Sequence, residues 1–139
     1  MPAAWEHFAH GADIGVRGRG ESLADALTAA ALGLTAVVTD PQLIKPVTPI
    51  DIHCEAPSAD LLLVDWLNAL VLEMAARSML FSRFELHCEG GRLQARAWGE
   101  EVDVARHQPA VEVKGATMTA LEVRQEAGGE WVAQCVVDV

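Results

Sequence analysis

"FELHCEGGRLQARA" (residues 84–97) decides how this chain folds. Phe84, Leu86 and Cys88 alternate with Glu85, His87 and Glu89; two glycines follow, and Leu93, Ala95 and Ala97 resume the period of two. Successive side chains of a strand point to opposite faces, so each arm presents one apolar face. The pair Gly90 and Gly91 supplies the backbone freedom that a tight hairpin turn requires. The stretch reads as two antiparallel strands joined directly.

Upstream of the hairpin, Pro57 and Ser58 open a helix, "ADLLLVDWLNALVLEMAARS" (residues 59–78). Its polar stripe is narrow, chiefly Asp60, Asp65, Asn68 and Glu73, which predicts a central helix covered over most of its circumference. In "VTPIDIHCE" (residues 47–55), Ile50, Ile52 and Cys54 alternate with Asp51 and His53, and Pro49 suits an edge strand or a strand start. "ESLADALTAAALGLTAVV" (residues 21–38) carries a capping-box-like pair, Ser22 and Asp25, with aspartate in place of the usual glutamate. Leu23, Ala26, Leu27, Ala30 and Leu34 then line one face, predicting a helix over residues 23–37 that "TDP" closes. The chain begins with an extended segment around residues 5–8 and a strand-like "DIGVRGRG" (residues 13–20).

Downstream, "EEVDVARHQPA" (residues 100–110) reads as a loop, with His107 a solvated loop histidine. In "VEVKGATMTALEVRQ" (residues 111–125), Val111 and Val113, then Leu121 and Val123, alternate with charged residues, predicting strands, the first of which carries Lys114. "EAGGE" turns into "WVAQCVVDV" (residues 131–139), with Trp131, Ala133, Cys135 and Val137 on one face. Strand, helix, strand and helix followed by consecutive hairpins indicate an α+β fold. A largely antiparallel sheet packs with two main helices in a single compact domain over residues 1–139.

With 139 residues, 51% of them hydrophobic, the chain can bury a core unaided. Its first ten residues lack a basic region followed by an apolar run, and the longest apolar stretch is broken by Asp65 and Asn68. A cytoplasmic protein without membrane association is expected. Cys54, Cys88 and Cys135 are odd in number and far apart, which argues against a disulfide framework or structural zinc and for buried small hydrophobes. The formal charge of −10, from ten basic and twenty acidic residues, is wrong for phosphate-backbone binding. Direct nucleic-acid binding is therefore not expected, and a basic protein partner or bound cations suit the surface better.

The candidate chemistry lies at the two ends of the sequence. "HGADIG" (residues 10–15) sets His10 and Asp13 between glycines, and the chain ends in Asp138 and Val139. Carboxylates held close together repel unless a cation or proton intervenes, and all-oxygen donors favour calcium, magnesium or manganese over zinc. On the residues alone a second reading stands beside it, a frayed terminus and a turn aspartate. His10 reads as a ligand, a base or an ordinary hydrogen-bonded histidine, and Lys114 as a snorkelling strand lysine unless an anion meets it. His7, His53 and His87 read as surface. No G-x-S-x-G, P-loop or dinucleotide fingerprint is present, so a stand-alone enzyme is not indicated.

Four ordered pieces, "HGADIGVRGRGESLADALTAAALGLTAVVTD", "LLLVDWLNALVLEM", "ARHQPAVEVKGAT" and "WVAQCVVDV", resemble the archease family over nearly the whole chain. "HGADIG" is similar to the family's H-T-A-D-I-G, and "VVDV" to its terminal V-D-I. The resemblance implies a non-catalytic activator of the GTP-dependent RNA ligase that joins 3′-phosphate or 2′,3′-cyclic-phosphate ends to 5′-hydroxyl ends. The family promotes guanylylation of that ligase's active-site histidine and its multiple turnover, in tRNA splicing or RNA repair.

The same resemblance implies a metal site, usually calcium, at Asp13, Asp138 and Val139, with Lys114 as the functional lysine. His10 would be an auxiliary or partner-contact residue, and Asp40 a further oxygen donor of lesser weight. Met118 and Thr119 stand where the family commonly has Tyr-His, so the partner contact there differs. A chaperone-like binding module for RNA-processing enzymes and a metal-dependent phosphoester hydrolase are the competing readings, the hydrolase ranked last.

Overall fold

A computed structural model describes residues 4–139; residues 1–3, part of the stretch read above as lacking a leader, lie outside it. The elements are β1 (Ala4–His10), β2 (Asp13–Gly20), α1 (Leu23–Val38), a 3-10 turn (Pro41–Leu43), β3 (Thr48–Glu55), α2 (Ala59–Arg77), β4 (Met79–Glu89), β5 (Arg92–Glu101), α3 (Val104–His107), β6 (Gly115–Ala116), β7 (Glu122–Gln125) and β8 (Trp131–Asp138). The α+β, antiparallel expectation holds, with one refinement: the strands form two sheets. One runs β3–β5–β4; the other runs β1–β2–β8–β6, with β7 also pairing with β8. Both long helices lie between the sheets and touch strands of each.

The hairpin of residues 84–97 forms as read. Gly90 and Gly91 have φ of 57° and 78°, and Glu89 pairs with Arg92 to close the turn. Positive φ at both central residues matches the right-handed twist of the flanking strands. β3, which contains Pro49, lies at an edge of its sheet, where a missing N–H is tolerated.

Each helix starts where its sequence signal stands. The Ser22 hydroxyl accepts from the Asp25 amide (3.0 Å), and the Ser58 hydroxyl accepts from the Leu61 amide (3.2 Å), satisfying first-turn donors that have no intrahelical acceptor. On α1 the run of alanines allows near-contact with β2. A Cβ on Gly18 would lie 2.3 Å from the Ala26 carbonyl oxygen, so the glycine is required by the approach itself. Trp66 of α2 is fully buried, and its indole Nε1–H donates to the Leu27 carbonyl (3.0 Å), which ties the two helices together.

α2 is less enclosed than its sequence predicts. Leu62, Leu63, Val64, Trp66, Leu67 and Leu70 are buried, but beyond them Leu72 is 65% exposed. The polar stripe also has an unforeseen task. The Asn68 side-chain oxygen accepts from the Ala116 amide (2.8 Å) in β6, and the Asp60 carboxylate accepts from the Val123 amide (2.7 Å) in β7. These two short strands share one edge of β8, and α2 satisfies the amides that their other edge leaves open.

Two expectations for the second half are corrected. Residues 111–114 are not a strand: β6 comprises only Gly115 and Ala116. The preceding segment is a strap held by the Ala110 amide donating to Val38 O (2.8 Å), and it buries Val113 while Val111 and Glu112 stay exposed. Its alternation is that of a chain with one face on the core, without a ladder to pair with. The stretch read as a loop contains the single turn α3, and His107 within it is 0% exposed, not solvated.

Two of the three cysteines are buried as read, while Cys88 is half-buried. All three are free, Cys54 and Cys135 are buried, and burial pushes the Cys135 thiol up to about 11. No helix among the described residues is long and apolar enough to cross a membrane.

Candidate functional site: an acidic tip built from both ends of the chain

β1 and β2 form a hairpin whose turn residue Gly11 has φ of +60°, and His10 and Asp13 are its closing pair. β2 then pairs antiparallel with β8, with Ile14 opposite Val137. Continuing that register by one residue sets Asp13 opposite Asp138. Ile14 and Val137 pack on the core, so alternation turns the two aspartates to the other face of the sheet. Asp138 is exposed and Asp13 half-buried.

The opposite edge of β8 brings in Lys114. Gly115 pairs with Asp138, and the Lys114 amide donates to the Asp138 carbonyl (2.8 Å). Below it, the Thr117 amide and hydroxyl both donate to the Val136 carbonyl (3.0 and 2.8 Å), fixing the chain that leaves β6. Residues 13, 114 and 138–139 thus meet at one end of the five-stranded sheet. His10 stands beside Asp13 in β1, with β2 between it and β8.

Among the described residues, this end of the sheet carries no ion pair. Elsewhere, among the described residues, every arginine is ion-paired with a carboxylate, for example Arg96 with Asp51 (2.8 Å) and Arg106 with Glu100 (2.7 Å). Of the ten basic residues only Lys45 and Lys114 have no such pair among the described residues. No side chain of His10, Asp13, Lys114 or Asp138 takes a hydrogen bond or ion pair from another described residue. The tip therefore keeps its charges uncommitted.

As a cation site, the donor set is two facing carboxylates and the oxygens of Val139. Among the described residues no three His, Cys, Asp or Glu side chains gather as a metal cluster. Oxygen-only donors with unrelieved like charge fit a hard divalent cation and not zinc. Asp40, weighed as an additional donor, is committed locally: its carboxylate accepts from the Gln42 amide (2.9 Å) and caps the 3-10 turn.

The principal cavities lie elsewhere. One of about 660 Å³ on the outer face of the three-stranded sheet is lined by Asp51, His53, His87 and Arg96 among others, and none is lined by Asp13, Lys114 or Asp138. Met118, at the Tyr-His position of the resemblance, is 67% exposed just beyond β6.

Sequence reading missed a second polar centre. The fully buried His107 donates through Nε2 to Glu100 (2.9 Å), and its Nδ1 accepts from the Asp103 amide (2.9 Å). The Lys45 amide (2.7 Å), together with Arg106 and His107, holds the Glu100 carboxyl down at about 2. The one available signal was the acidic residue six positions before an "RH" pair, too loose a spacing to single out.

The archease protein family (MTH1598/TM1083) matches residues 5–139. The chain belongs to the archease family. The archease of Thermococcus gammatolerans is 35% identical over 97% of this chain and 98% of its own length, and that of Pyrococcus abyssi 33% over the same shares. The solution structure of Methanobacterium thermoautotrophicum protein 1598 superposes with a TM-score of 0.80 at 25% identity, covering 98% of this chain and 99% of that one. At the level of the family, archease membership supports an accessory role beside RNA-processing ligases.

Proposed function

We propose that this archease activates a GTP-dependent RNA ligase through its acidic tip, promoting guanylylation of the ligase's active-site histidine and its multiple turnover in tRNA splicing or RNA repair. The observation that carries the reading is the register: Asp13 opposite Asp138, with the Lys114 amide bonded to the Asp138 carbonyl from the other side and no partner among the described residues for any of the three side chains. Charges left unpaired at a surface are free to meet a partner. A tip outside the principal cavities suits a protein partner better than an enclosed small substrate.

Asp13, Asp138 and Val139 would hold the divalent cation, calcium first, with magnesium or manganese as the alternatives. Bound there, it supplies positive charge beside transferring phosphoryl oxygens. The chain's own contribution is positional. The β1–β2 hairpin presents Asp13, β8 presents Asp138, and the Lys114 ammonium is directed to a phosphate or an acidic residue of the ligase. His10 borders Asp13 and contacts the partner rather than the cation.

The test is ligase guanylylation by labelled GTP with wild type, Asp13→Ala, Asp138→Ala and Lys114→Ala, each checked for folding. Stimulation by wild type alone is the expected result. Equal stimulation by the folded variants would remove the tip from the mechanism. A wild-type protein without effect on a competent cognate ligase would remove the activator reading itself.

A further inference from the structure

His107 can hold its proton in only one place. The Asp103 backbone N–H is a donor and points at Nδ1 (2.9 Å), so Nδ1 must offer its lone pair. The proton therefore sits on Nε2 and is donated to Glu100. The imidazole is completely buried, so a proton added at Nδ1 would face the Asp103 amide hydrogen with no water to accept it. The groups around the ring are Glu100 from β5, Asp103 at the N-cap of α3, Arg106 from α3, the Lys45 amide from the segment before β3, and Thr39 at the C-cap of α1. Arg106 is already shared between Glu100 and Asp103, and the Asp103 carboxylate caps α3 by accepting from the Arg106 amide (3.2 Å).

This centre is where the strap of residues 108–114 begins. The His107 carbonyl accepts from the Thr39 hydroxyl, and Gln108, at φ of 48°, turns the chain out of α3. From there the strap is fastened by two backbone bonds, Ala110 to Val38 and Lys114 to Asp138 (2.8 Å each), and by the burial of Val113. A segment with so few fixings opens at low cost and depends on its anchor.

We propose that His107, locked as its Nε2–H tautomer between the Asp103 amide and the Glu100 carboxylate, is the positioning residue for Lys114. Through the strap it holds the lysine against β8, and loss of the bonds at Nδ1 and Nε2 releases that hold. The importance of Lys114 to a ligase rests on the function proposed above; the release of the strap does not.

The test is amide hydrogen exchange on the intact chain at neutral pH, in wild type, His107→Asn and His107→Ala. Asparagine keeps an acceptor at the Nδ1 position but does not reach Glu100, and alanine loses both bonds. Protection of Ala110 and Lys114 is expected to fall about tenfold in His107→Ala, and less in His107→Asn, while α2 core amides hold. Unchanged protection of Ala110 and Lys114 in His107→Ala, or an equal fall across the α2 core, would overturn the proposal. So would an Nδ1–H tautomer in the nitrogen spectrum of the wild-type imidazole at neutral pH, a measurement that needs no variant to fold. Guanylylation assays with Lys114→Ala report separately on the ligase reading, since that reading can fail while the strap still loosens in His107→Ala.

Discussion

Asp13 and Asp138 face one another across β2 and β8, one residue beyond the Ile14–Val137 pair, and among the described residues neither carboxylate is ion-paired. Like charges directly opposite on neighbouring strands destabilise by about 0.2–1 kcal/mol. In chelator, Asp138→Asn is therefore expected to melt slightly higher than wild type. Millimolar calcium should raise the wild-type Tm, because a ligand of the folded state stabilises it, and should leave Asp138→Asn unmoved. Thermal melts with and without calcium check both halves. A calcium response surviving in the variant would remove Asp138 from the donor set.

Lys114 and Arg17 make a contrasting pair of cations. Arg17 donates to Gln134 (2.8 Å), pairs with Glu6 (3.3 Å) and lies over the Phe8 ring at 4.6 Å, whereas the Lys114 ammonium has no partner among the described residues. Lys114→Ala should leave stability within about 0.5 kcal/mol of wild type, and Arg17→Ala should cost about 1–2 kcal/mol. Urea unfolding measures both. Only the lysine substitution is expected to abolish ligase stimulation, which separates a surface contact from a structural one.

Asn68 is the polar residue of α2 whose task the fold reveals. Asn68→Ala strips the Ala116 amide of its acceptor, and about 1 kcal/mol of stability is expected to go with it at this exposed position. Asn68→Asp, which keeps an oxygen at the same place, should recover most of the loss. Exchange of the Ala116 amide, faster in Asn68→Ala and near wild type in Asn68→Asp, is the local readout.

What the sequence made legible is what local pattern encodes. Ser22 and Ser58 marked both helix starts, the Gly90 and Gly91 pair marked the hairpin, and the odd residues from Trp131 to Val137 marked the face of β8 that packs inward. Asp13 and Asp138 were recognised by resemblance, and their being opposite one another depends on a pairing between the two ends of the chain that no local pattern carries. Residues 111–114 imitate a strand because Val113 alone is buried between charged neighbours, so a single inward side chain gave the period of two. His107 was missed for a related reason. Its partners Thr39 and Glu100 reach it through tertiary packing, and in sequence it sits among the polar residues of an ordinary loop.

The Glu100 carboxyl gives the fold an acid limit of its own. Its hydrogen bond from the Lys45 amide, then those from Arg106 and His107, hold it at about 2 in the folded chain against 4.5 for an unperturbed glutamate. A carboxyl depressed in this way binds its proton more readily in the unfolded chain. The stability it contributes is therefore whole above about 4.5 and drains away as the pH falls from there towards 2. Glu100→Gln removes the charge that Arg106 and His107 meet. The variant should be less stable than wild type at neutral pH and should approach it as the pH drops through that window, so the two stability curves converge in acid. Urea unfolding followed between neutral pH and about pH 3 draws both curves, and parallel curves would show that Glu100 is not the group responsible.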